Sequence, residues 1–275
     1  MFENKSIIIG VSGGIAAYKT AYLVSALSKT EADVNVIMTE NACEFISPLV
    51  FETLTGNKCY VDTFDRNFKF DVEHISLAKK ADIFMIAPAT ANVIAKIANG
   101  IADDMLTTTF LASKCKKIVS PAMNTAMFEN QITQDNIAKL KKYGIGVVEP
   151  QDGLLACGDT GAGKMPEPDF LFDVIEREIA REKDMLGKKV LVTAGATMES
   201  LDPVRFLTNH SSGKMGFAIA KEAMLRGAEV TVVKANTTAE IPNFVKIVEV
   251  SSAKDMFDAV TALSDQQDII VKAAA

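Results

Sequence analysis

Short apolar runs alternate with amphipathic stretches along the whole chain. Residues 6–11 (SIIIGV) are almost continuously apolar and rich in β-branched residues. Gly13-Gly14 breaks the run before helical spacing of Ala, Tyr, Leu and Val over residues 15–27. The same alternation predicts strands at 34–38, 81–87, 117–120 and 145–148. Helices are predicted between them at 42–54, 91–98, 104–113 and 130–142. Strands apolar on both faces belong to a parallel sheet, and their alternation with helices makes a doubly wound α/β fold. Residues 61–71 carry mixed charge and read as a loop. Residues 149–168 are rich in Gly and Pro, and read as a long structureless segment of the kind that serves as lid, binding loop or linker. A helix over 169–182 follows.

After the charged stretch REKDMLGKK the pattern restarts. KVLVTAGA echoes SIIIGVSG, RGAEVTVVKAN echoes TEADVNVIMTE, and QDIIVKAAA echoes ADIFMIAPA. Two α/β domains in tandem follow: residues 1–182, a linker at 183–188, and residues 189–275. The second has about four strands and stops at Ala273-Ala274-Ala275, where the matching strand of the first runs into its PAT loop. Ligands bind at the carboxyl ends of such strands, so the end reads as a truncation inside a site, with a natural short form as the alternative.

Composition narrows the function classes. The chain has 275 residues, 48% hydrophobic and 23% charged, the balance of a globular protein rather than a disordered or fibrous one. Its net charge of −6 lacks the basic footprint of a nucleic-acid binder. No apolar stretch is long enough for a membrane span, and the start lacks a signal-peptide run, so a cytoplasmic protein is expected. Cys43, Cys59, Cys115 and Cys157 lie far apart, and His74 and His210 are the only histidines, so no metal site is expected.

Several segments carry candidate chemistry. Ser12-Gly13-Gly14-Ile15 lies between the first strand and helix, where bare amides suit a phosphate, although a tight turn accounts for it equally well. It is not GxGxxG, so the dinucleotide fingerprint is absent. GDTGAGKM has Walker-like spacing, but Met165 stands where Ser or Thr would bind magnesium, so it reads as a glycine loop beside Cys157. Pro88-Ala89-Thr90-Ala91-Asn92 and Pro121-Ala122-Met123-Asn124 each end a strand with small and polar residues. Two such loops together predict a pocket with room for a flat ring. Asn209 to Gly216 (NHSSGKMG) offers polar donors, Lys214 and glycines ahead of a helix.

Together these motifs resemble the bifunctional coenzyme A enzymes, in which phosphopantothenoylcysteine decarboxylase is joined to phosphopantothenate–cysteine ligase. The resemblance spans the chain through GVSGGIAAYK, HISLAKKADIFMIAPATAN, PAMNTAMF, ACGDTGAGKMPEP and TAGATMESLDPVRFLTNHSSGKMG. It implies a flavodoxin-like decarboxylase domain binding FMN, followed by an incomplete Rossmann-like α/β domain. By this resemblance Ser12, Gly13, Gly14 and Ile15 cradle the FMN phosphate region, and Thr39, Thr90, Ala91 and Asn92 contact the flavin. His74 matches the catalytic histidine, and Cys157 the proton donor on a substrate flap. Met123, Asn124 and Met127 match the substrate-binding motif, with Asn124 on the substrate carboxylate. Lys164 stands where arginine is common, which keeps the charge and loses bidentate geometry at substrate or flap contacts. In the second domain Asn209 matches a residue that carries an acyl-cytidylate intermediate on to cysteine. Gly195, Lys214, Ala273 and Ala274 match its substrate and nucleotide positions.

The implied chemistry suits these residues. By the resemblance, FMN would oxidise the cysteine thiol to a thioaldehyde, carbon dioxide would leave, and the enethiol would take hydride back from the reduced flavin and a proton from Cys157. The ligase half would use CTP with Mg2+, phosphopantothenate and cysteine; as the chain stands, no useful ligase activity is expected. The resemblance also implies a trimer-based homo-oligomer. A flavin prenyltransferase or a non-catalytic flavin-binding regulator would share the glycine turn. Neither needs the PAMN and ACGD segments together with His74, Asn124 and Cys157.

Overall fold

The computed structural model describes residues 2–63, 73–154, 158 and 160–275. The chain divides into two compact units, Met1–Ile175 and Glu176–Ala275. The first opens with β1 (Ser6–Val11), α1 (Ala17–Ser28), β2 (Asp33–Met38), α2 (Glu40–Cys43), α3 (Pro48–Thr55), β3 (Cys59–Tyr60) and α4 (Glu73–Lys80). It continues through β4 (Ile83–Ala89), α5 (Ala91–Ala98), α6 (Met105–Ala112), β5 (Lys116–Pro121), α7 (Thr125–Glu129), α8 (Gln131–Lys142) and β6 (Gly146–Val147). An antiparallel pair, β7 (Gln151–Leu154) and β8 (Thr160–Lys164), leads to α9 (Pro168–Ile179).

All six strands of the main sheet run parallel, in the order β3-β2-β1-β4-β5-β6. Setting aside the two-residue edge strand β3 leaves the flavodoxin order, with the strand order reversing between β1 and β4. The central strands are buried along almost their whole length, as their unbroken apolar sequence requires. Phe84 and Phe110 meet edge to face at 5.1 Å inside the core. Gly10 lies close beneath, since a Cβ there would stand 2.5 Å from Leu106 Cδ1 and 3.2 Å from Phe84 Cε2.

Three local expectations are corrected. The single helix expected over 42–54 is two helices, α2 and α3. Pro48 disfavours helical geometry at Ser47, whose side chain instead caps α3 by accepting the Leu49 N–H at 3.3 Å. The structureless segment expected over 149–168 holds the β7–β8 pair. Its glycines serve close approach: a Cβ on Gly161 would stand 2.8 Å from the Thr125 side chain. The strand expected to stop before Pro88 runs on to Ala89, Pro88 taking the cis form.

The second unit contains β9 (Lys189–Ala194), β10 (Glu199–Ser200), β11 (Phe206–Leu207), α10 (Lys214–Leu225), β12 (Glu229–Lys234), β13 (Lys246–Glu249), α11 (Ala253–Ser264) and β14 (Ile269–Lys272). Its parallel sheet has the order β13-β12-β9-β14, again reversing beside its first strand. Its own core includes Val190, Val192, Phe217 and Ala220. Among the described residues no helix is long and apolar enough to cross a membrane.

Candidate functional site

At the carboxyl end of the first sheet the β1, β4 and β5 loops are tied in a row. The Ser12 hydroxyl is fully buried, donates to the Pro88 carbonyl at 2.8 Å and accepts the Thr90 N–H at 3.0 Å. Thr20, buried on α1, donates to the Ala87 carbonyl at 2.7 Å. The Ala122 N–H donates to Ala89 at 3.0 Å, which brings the β5 loop alongside. The ordering follows from topology, since a reversal of strand order opens a crevice at this end of the sheet.

A cleft of about 850 Å³ occupies the crevice, within the usual range of small-molecule sites. Gly13, Gly14, Ile15, Thr39, Thr90, Ala91, Asn92, Met123, Asn124, Met127 and Lys164 all line it. Ser12 lies beneath, bonding the walls together. The segments named from sequence as flavin- and substrate-binding therefore share one space. His74 falls in the first turn of α4, with its side chain outside the described residues; Cys157 lies outside them altogether.

Local structure orients each wall. α1 has no side chain capping its N-terminus, and the Ala17, Tyr18 and Lys19 amides donate instead to the Gly14, Ile15 and Ala16 carbonyls at 2.9, 3.4 and 3.0 Å, which folds the glycine turn into the first turn of the helix. A Cβ on Gly13 would lie 2.5 Å from Asn41 Cβ, so the turn can approach α2 only as glycine. Thr39 and Thr90 are N-caps of α2 and α5, accepting the Ala42 and Val93 amides at 3.3 and 3.4 Å. Asn124 caps α7 by accepting the Ala126 N–H at 2.8 Å.

Several cleft residues went unmarked in the sequence, among them Lys19, Asn41, Lys96, Asp103 and Asp104. Lys19 had a local signal, a cation on the buried stripe formed with Thr20, Leu23, Val24 and Leu27. Lys96 holds Asp103 at 2.7 Å and Asp104 at 3.2 Å. The ammonium keeps the Asp103 carboxyl below the usual carboxylate range, and the Asp103 hydrogen bond raises Lys96 in turn.

Residues of the second unit named from sequence also converge. The Ala273 and Ala274 amides each donate to Thr193 Oγ1 at 3.1 Å, and the Ala275 N–H donates to Gly195 at 3.0 Å. Gly213, just before Lys214, packs so closely that a Cβ there would lie 3.4 Å from the Gly195 amide. Asn209 accepts the Ser211 N–H at 2.9 Å, beside Thr208, whose hydroxyl donates to Thr197. Among the described residues no cluster of His, Cys, Asp and Glu could hold a metal ion.

Residues 1–180 match the Flavoprotein family, and residues 185–275 match the DNA/pantothenate metabolism flavoprotein C-terminal domain. The coenzyme A biosynthesis bifunctional protein CoaBC of Bacillus subtilis (strain 168) is 44% identical over 100% of this chain and 68% of its own length. The chain belongs to the CoaBC family. The CoaBC protein of Borreliella burgdorferi is 42% identical over 100% of this chain and 70% of its own length. The chain therefore spans about two thirds of the length of these relatives. A cysteine-to-serine mutant of PPC decarboxylase, complexed with pantothenoylaminoethenethiol, superimposes with a TM-score of 0.57. It is 30% identical and covers 62% of this chain and 96% of its own. Peptidyl-cysteine decarboxylase EpiD superimposes with a TM-score of 0.53 at 26% identity, covering 62% of this chain and 98% of its own.

Proposed function

We propose that the first unit binds FMN in the carboxyl-end cleft and decarboxylates phosphopantothenoylcysteine to phosphopantetheine, a step of coenzyme A biosynthesis. The observation that carries this reading is the convergence of the glycine turn, Thr90–Asn92 and Met123–Met127 on one cleft in a chain of the CoaBC family. The cleft suits a phosphorylated flat-ring cofactor. The positive end of the α1 dipole, with the glycine turn ahead of it, favours an anion.

When bound, FMN supplies the redox step that plain carboxylate loss lacks, taking a hydride equivalent from the substrate and returning it after carbon dioxide departs. The chain's own residues bind and orient. Gly13, Gly14 and Ile15 present amides to the cofactor phosphate, and Ser12 holds the turn against the β4 loop. Thr39 accepts a helix amide, which leaves its hydroxyl proton for a ring acceptor, while the Thr90 hydroxyl caps α5 and meets Ser12 Oγ at 3.2 Å, which fixes that wall. Asn124 is fixed at the start of α7 through its Oδ1, and its role toward a substrate carboxylate rests on the matched motif. Met123 and Met127 supply apolar wall. His74 acts as the catalytic histidine, and Cys157 returns a proton to the product; both roles rest on matched motifs. A thiol near its ordinary pKa is protonated at neutral pH and can donate.

For residues 189–275 we propose descent from a CTP-dependent phosphopantothenate–cysteine ligase, on the strength of the C-terminal family match. Gly195, Ala273 and Ala274 would face the nucleotide, and Asn209 and Lys214 the acyl substrate. A cytoplasmic, trimer-based assembly accords with the family reading.

Carbon dioxide release from phosphopantothenoylcysteine by the purified, yellow protein tests the proposal. Release is expected, with loss in His74→Asn. Cys157→Ser should release carbon dioxide but form no phosphopantetheine. Bound flavin without any release would favour a prenyltransferase or a non-catalytic binder instead.

A further inference from the structure

Three lysines line the cleft of the first unit, Lys19, Lys96 and Lys164. Their pairings differ. Lys96 is held by two carboxylates, Asp103 and Asp104. Lys19 is only 8% exposed, and its Nζ donates to the Met165 carbonyl at 3.2 Å and to Glu167 Oε1 at 2.8 Å. Lys164 is more open and meets the same Glu167 oxygen at 3.4 Å. Two cations thus share one carboxylate, which leaves this end of the cleft positive. An ammonium has three protons to give, and the long contact to Glu167 uses at most one. Lys164 is the cleft cation with the most donor capacity left for an incoming anion.

The backbone on either side of Lys164 is fixed. The Met123 N–H donates to the Gly163 carbonyl at 3.1 Å, and Lys19 grips the carbonyl of Met165. The remaining freedom is in the Lys164 side chain, and Glu167 is the group that restrains it. Glu167 is placed in turn by Lys19, whose buried ammonium needs a carboxylate partner. The Lys19 hydrogen bond also holds the Glu167 carboxyl below its ordinary range, so it stays charged.

We propose that Glu167, anchored by Lys19, is a positioning residue that aims the Lys164 ammonium at a phosphate monoester in the cleft. The inference rests on the decarboxylase reading, which brings two such monoesters, one on the acylcysteine substrate and one on FMN. It differs from a simple field effect in sign. If Glu167 only diluted the positive potential, its neutralisation would tighten phosphate binding. If it aims Lys164, neutralisation weakens binding.

The test compares wild type, Glu167→Gln, Glu167→Asp, Lys164→Met and the double variant Glu167→Gln/Lys164→Met. Calorimetry on the flavin-loaded protein gives affinities for 4′-phosphopantetheine and pantetheine. Fluorescence titration of the flavin-free protein gives those for FMN and riboflavin. Glu167→Gln should lower the preference for the phosphorylated member of one pair by about three- to tenfold, the range of a partly exposed charge-assisted contact. The pair affected identifies which monoester Lys164 meets. Glu167→Asp should restore part of the preference, and Glu167→Gln should add nothing to Lys164→Met. If the substrate pair responds, the loss in turnover should fall on KM rather than kcat. If Glu167→Gln fails to fold, Glu167→Asp carries the same comparison with its shorter reach. An unchanged or raised preference in both pairs, or a further loss beyond Lys164→Met, overturns the inference alone. Absence of carbon dioxide release from wild type overturns the decarboxylase reading and this inference with it.

Discussion

Cys59 shows how one buried group sets a pH limit. It sits in β3, 6% exposed, with its backbone N–H donating to Glu52 Oε1 at 3.2 Å. Burial, then the Glu52 charge, then Cys43 push its thiol up from 9.0 to about 12. The folded state therefore holds the proton more tightly than the unfolded chain. This contribution is complete below pH 9.0 and is lost as pH rises toward about 12. One proton changes stability by at most about 1.4 kcal/mol per pH unit. Melting temperatures from pH 8 to 11 should fall less steeply in Cys59→Ala than in wild type; parallel curves would sink the idea. Glu167 works in the opposite sense. Its lowered pKa gives a contribution present above the ordinary carboxylate range and lost as pH falls.

At the scale of elements, the β7–β8 pair matters most, because its closing strand runs into the cleft. Gly163 has φ of 130°, and a Cβ on it would fall inside the carbonyl oxygen of Met123. Gly163→Ala should therefore unseat the strand from the Met123–Asn124 loop at a cost of about 1–3 kcal/mol. A chemical-denaturation midpoint and FMN titration check this; an alanine variant equal to wild type in both would refute the close approach. The same pair marks where local pattern stops being legible. β1, α1 and α5 were readable because an apolar run or a 3.6-residue period is local information. β7 and β8 were not, because their pairing depends on glycines packed against Thr125 and Met123, in a different element and loop. The break between α2 and α3 was readable in principle, since Ser47-Pro48 carries both a cap and a helix breaker. The glycine turn, Thr39, Thr90–Asn92, Met123, Asn124, Met127 and Lys164 line one cleft, whereas Lys19 and Glu167 pair across 148 residues, a distance no periodicity reports.

On the scale of the whole molecule, the two sheets repeat one topological idea. Each is parallel, and each reverses its strand order beside its first strand. The glycine turns at residues 13–14 and 195 follow from that shared geometry, since each lies where the first strand hands over at the carboxyl end. Each unit also buries a core of its own. Ligand binding stabilises only the structure whose opening releases the ligand. FMN at one hundred times its Kd adds about 2.7 kcal/mol to such openings, which slows the most protected amides about a hundredfold. Hydrogen exchange with and without FMN should therefore show slowing in β1, β4 and β5, with little change in β9 and β12. Equal slowing in both sheets would contradict a flavin site confined to the first unit, and slowing only in β9 and β12 would move the flavin to the second.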